Sequence, residues 1–198
     1  MKRQPLQTLV VVVLVAFTNL AGCLGGSLDE IIPERKGIPG GLTLACLTST
    51  SYTSMIVEVD YEPGYKPLTS STEMLIERLT SVCDKPDGIS VEFQEVNFGQ
   101  QGDWTAEDVR TKAWEEKSGS PREDSTLRWQ LIFPAGTYTD ASVLGVAVDA
   151  STIALFGDSI EQAEGPFGRP SAEDVENSVV VHEVGHLLGL VNLVYESP

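Results

Sequence analysis

Basic residues are scarce: 13 lysines and arginines stand against 29 aspartates and glutamates, for a formal net charge of −16. A surface of that sign repels a phosphate backbone, so nucleic acid is excluded as a partner. Histidine is scarcer still, with two in 198 residues, and there are three cysteines. The chain also lacks an apolar run long enough to cross a bilayer: Leu9 to Phe17 is nearly unbroken but falls short of the roughly 20 residues a spanning helix needs. No internal repeat is present. At this length one domain with a real core is expected, and two sizeable ones are not.

The short apolar run follows Lys2 and Arg3, which is the layout of an export signal. It ends in Leu20-Ala21-Gly22-Cys23, a sequence that resembles the lipobox of prokaryotic lipoproteins. That resemblance implies cleavage after residue 22 and a diacylglycerol on Cys23, hence an extracytoplasmic protein tethered to the cell membrane. A plain secretory signal with a cysteine near its cleavage site is the alternative, and it too places the protein outside the cytoplasm. Residues 24–41 mix glycine, proline and charge without a period, so residues 23–41 read as a lipid-anchored linker and the folded domain as residues 42–198. With Cys23 assigned to lipid, Cys46 and Cys83 form an even pair in an oxidising compartment. They pair as a disulfide or remain two buried thiols.

The expected fold class is α/β (α+β), with a mixed, twisted sheet of about five strands. Met55 to Tyr61 is short, apolar and β-branched, and Pro63-Gly64 stops it; Ile89 to Val96 alternates apolar and polar residues. Between them, Ser70 with Glu73 has a capping-box pattern, and Leu75, Leu79 and Val82 recur at helical spacing. Strand, helix, strand implies a parallel crossover. Thr105 with Asp108 opens a helix to about Lys117, with Val109 and Trp114 on its apolar side, and Ser118 to Ser125 is a loop. Leu127 to Phe133 is a third strand; Val143 to Val148 and Thr152 to Phe156 form a hairpin around Asp149-Ala150-Ser151. Ser171 with Asp174 starts a last helix that runs to about Leu188.

Both histidines of the chain sit on that last helix, four apart, as His182-Glu183-Val184-Gly185-His186. Four residues is about one helical turn, so the two imidazoles project from one face toward one ion. Zn²⁺ suits two neutral imidazoles, because it polarises a carbonyl and acidifies water without redox chemistry. Glu183 then acts as general base on that zinc-bound water, not as a ligand.

Leu187-Leu188-Gly189 extends the motif to HExxHxxG, and here the chain resembles the metzincin superfamily of zinc endopeptidases, matrixin-like members especially. The resemblance implies an upper subdomain with a C-terminal active-site helix and a sharp exit at Gly189. It also implies a peptide or protein substrate bound as an added strand on an antiparallel edge, either Val143 to Val148 or Thr152 to Phe156. Three residues after Gly189 that family places its third metal ligand; this chain has Asn192, whose amide is a weak zinc donor, and Glu196 is the one carboxylate that follows. The methionine turn that should come next is missing, since all methionines precede the helix. The expectation is therefore a C-terminally truncated domain, with the third ligand and that turn beyond residue 198. A non-catalytic, lipid-anchored binding module with a degenerate metzincin fold is the rival. A glutamate-type zinc peptidase would need a further helix.

Overall fold

The computed structural model describes residues 37–99 and 102–190. The chain divides into Met1–Pro33 and Glu34–Pro198, and the described residues belong to the second unit. Cys23, Asn192 and Glu196 lie outside them. No helix among the described residues is long and apolar enough to cross a membrane.

The elements run α1 (Thr43–Leu47), β1 (Ser54–Tyr61), α2 (Thr69–Val82), β2 (Ile89–Glu95), β3 (Asp103–Trp104), α3 (Ala106–Glu116), β4 (Arg122–Glu123) and β5 (Thr126–Phe133). Then follow β6 (Thr137–Tyr138), β7 (Gly145–Ala147), β8 (Thr152–Leu155), α4 (Gly157–Gln162) and α5 (Ala172–Leu187). The fold is mixed α/β with a mostly parallel sheet of order β2-β1-β5-β8-β7 and five described helices. β1 pairs in parallel with both β2 and β5, β8 is parallel to β5, and β7 alone on this path is antiparallel. Handedness explains the layering. The step from β1 to β2 and the step from β2 back past β1 to β5 run in opposite directions. Right-handed crossovers therefore need α2 on one face of the sheet and α3 on the other.

The pleat sorts the two cores. Met55, Val57 and Val59 of β1, with Leu127, Trp129, Leu131 and Phe133 of β5, face the side covered by α1, α2, α4 and α5. Ile132, Ala154 and Phe156 face the α3 side, against Val109 and Ala113. On that second face the middle of the sheet is polar: Glu58, Asp60 and Gln130 are all buried. Glu58 accepts from Ser118 and Arg128, and Gln130 Nε2 donates to Asp60 Oδ2 and to the Ala113 carbonyl. Burial pushes the Asp60 carboxyl up to about 7. The β1 carboxylates are thus bonded by Gln130 and Arg128 of β5 and by Ser118 of the loop after α3.

Several expectations need correcting. The Ser70/Glu73 capping box does not form. Leu68 caps α2 without a side-chain bond, and its N–H is taken by Glu176 of α5 at 2.8 Å, a long-range partner in place of a local one. Val82 and Trp114 are about half exposed; the Trp114 indole lies at the surface to donate to Asp149 at 2.8 Å. The sheet has six strands, because the two-residue β4 pairs with β5, and β3 and β6 make a separate ladder. Strands that short carry no period to read. The capping boxes at Thr105/Asp108 and Ser171/Asp174 are both formed, and α1 begins one residue after Leu42.

Cys46 of α1 and Cys83 at the end of α2 are joined by a disulfide. Beside it the buried Lys85 ammonium donates to the carbonyls of Cys46, Thr48 and Asp84 at 2.8–2.9 Å, closing the open end of α1. This corner anchors the segment that supports the end of α5.

Candidate metal site and edge-strand cleft

α5 is held at both ends. At its start the Ser171 hydroxyl accepts from Asp174 N–H while the Asp174 carboxylate accepts from Ser171 N–H. At its end Leu190 N–H donates to Gly185 O and Gly189 N–H to His186 O, both at 3.0 Å, a Schellman closure with Gly189 at φ +68°. Gly40 packs on this turn so closely that a Cβ there would lie 3.0 Å from Gly189 Cα, and Thr43 Oγ1 donates to Leu187 O at 3.4 Å. The two glycines are therefore required for different reasons, Gly189 by its left-handed backbone and Gly40 by contact as well.

On the last turns of α5, His182 is exposed while Glu183 and His186 are 5% and 7% exposed. Their ligand atoms lie within 4.8 Å of one another, and the imidazole rings stand edge to face, 83° apart, with centroids 4.9 Å apart. Spacing on one helix accounts for this convergence. Burial alone pushes the Glu183 carboxyl up to about 7, which keeps it poised to take or release a proton near neutrality. Two imidazoles and a carboxylate are a donor set that fits zinc in its chemistry. Beyond these three, no further His, Cys, Asp or Glu joins the group among the described residues.

These residues floor a cleft of about 520 Å³ whose walls are β7 and α5, with Val143 to Ala147 on one side and Ser178, Val179, His182, Glu183 and His186 on the other. β7 is the end of the sheet path, so its far side has no strand partner among the described residues. Bonds from Val148 N–H to Thr152 O and from Phe156 N–H to Leu144 O turn alternate residues of this segment toward β8. By the antiparallel pattern, Gly145 and Ala147 direct their N–H and C=O groups outward. Thr152–Leu155, the other candidate edge, lies inside the sheet between β5 and β7.

The other place where an open α/β sheet takes ligands is the carboxyl end of its strands where the strand order reverses, here between β1 and β5. That crevice is filled by the chain itself: Glu62 accepts from Ala135 N–H, and Asp158 accepts from Gly136 N–H and the Tyr65 hydroxyl. The backbone donors that would cradle an anion there are already used.

Gly145 is the residue of this site that the sequence did not single out. A Cβ on it would fall 2.6 Å from Glu183 Cγ and 2.9 Å from both Cδ and Oε1. A glycine in a strand was the available signal, since it marks close backbone approach. No family model matches the chain, and neither a curated protein nor a solved structure matches it.

Proposed function

We propose that the protein is a zinc-dependent endopeptidase of the metzincin kind, exported by a prokaryote and tethered to its membrane through Cys23. The observation that carries this reading is the meeting of His182, Glu183 and His186 within 4.8 Å beside an unpaired antiparallel edge strand. An extended peptide adds to β7 through the outward groups of Gly145 and Ala147, which holds a peptide bond over the floor of the cleft. His182 and His186 would hold the zinc, which when bound polarises the scissile carbonyl and acidifies water. Glu183 takes a proton from the attacking water as the C–O bond forms. It returns that proton to the departing amine nitrogen as the C–N bond breaks. Val143, Leu144 and Val179 give the cleft beside the carboxyl an apolar lining.

One observation favours a second reading, a lipid-anchored binding module without turnover: with Glu183 assigned as base, the group among the described residues leaves two imidazoles to hold the ion. Peptide hydrolysis by the full chain separates the two. Cleavage of an unstructured protein that stops on chelation and returns with added zinc supports the peptidase. Tight zinc binding without cleavage supports the module.

A further inference from the structure

Gly145 has no backbone need to be glycine, since its φ lies outside the left-handed region that marks Gly40 and Gly189. What requires it is Glu183: a Cβ at 2.6–2.9 Å from Cγ, Cδ and Oε1 overlaps the whole outer half of that side chain, not a flexible tip. The glutamate can retreat only on the cleft side. It is 5% exposed, and its helix is fixed by the capping box at Ser171 and by the Gly189 turn against Gly40. Relief must come from the carboxyl swinging into the cleft or from β7 lifting away.

We infer that Gly145 is a positioning residue: its missing Cβ lets the β7 backbone press against the Glu183 side chain and fix where the carboxyl points. The same residue directs its N–H and C=O outward at the open edge, so the strand that takes a peptide and the group that moves the proton are set against each other at one point. The inference rests on the peptidase reading for its functional consequence. The contact itself does not.

The test is a double-mutant cycle on the full chain with Gly145→Ala, Glu183→Ala and both together. Without metal, Gly145→Ala is expected to lower Tm by about 3–8 °C in the wild-type background, the scale of overpacking a close contact. In the Glu183→Ala background, where Cγ, Cδ and the oxygens are gone, the loss should shrink to about 1 °C or less. With zinc, Gly145→Ala should lower kcat for peptide cleavage by roughly 10- to 100-fold while KM and zinc affinity stay within about twofold. Should Gly145→Ala fail to fold, the double variant decides: its folding is rescue, and its failure overturns the inference. Equal Tm losses in both backgrounds overturn it as well. So does a raised KM with kcat intact, which would make Gly145 a substrate-binding position only. A wild-type chain that binds zinc and cleaves nothing contradicts the peptidase reading, and the positioning role with it, while the Tm cycle still reports on the contact.

Discussion

Glu183→Gln should lower peptide hydrolysis on the order of 10²- to 10⁴-fold, the usual worth of a positioned general base, while zinc affinity holds within about threefold. Glutamine keeps the volume beside Gly145 but neither takes nor returns a proton, so the loss belongs in kcat. The metal-free protein offers an independent check on the same residue. Burial raises the Glu183 pKa from 4.5 to about 7 in the folded state. Its contribution to stability is therefore fully present below about pH 4.5 and is lost as pH rises through about 7. Glu183→Gln removes this dependence, so its Tm should draw level with or pass that of the wild type at pH 8 relative to their order at pH 4. Unchanged kcat in the variant would remove Glu183 from the mechanism.

Replacing Cys46 and Cys83 by serine should cost about 3–4 kcal/mol, from the entropy regained by opening a loop of 37 residues in the unfolded chain. For a domain of this size that is a fall in Tm of about 8–15 °C, to be read by calorimetry with and without reductant. The loss should reach the cleft. The disulfide anchors α1, and Gly40 and Thr43, just before and at the start of that helix, pack on the turn that ends α5. A double serine variant with unchanged Tm would show that the buried Lys85 and its three carbonyl acceptors hold this corner alone.

Much of the sheet could be read from the chain because its cause is local. β1, β2 and β5 are short β-branched or alternating runs, and the pleat that follows from them sorts the two cores. The boxes at Thr105 and Ser171 start helices because the N-cap and third residue satisfy each other without outside help. Where a remote group competes, the reading fails: Glu176 reaches across from α5 to the amide of Leu68, and the Ser70/Glu73 box is left unmade. α1 and α4 are five and six residues long, too short to show a period. The buried layer of Glu58, Asp60 and Gln130 was invisible for another reason, since its partners come from the neighbouring strand, from α3 and from the loop after it. At the site, the convergence of His182, Glu183 and His186 follows from spacing on one helix. Gly145 does not, because its meaning lies in an approach between elements nearly forty residues apart.

The most direct measurement is a calorimetric zinc titration of the full chain beside His186→Ala. The account predicts one ion bound tightly by the wild type and affinity lower by about 100-fold or more in the variant, since one of its two imidazole donors is gone. Equal affinity in the two proteins would contradict it, because the ion would then be held somewhere other than the helix that carries both histidines.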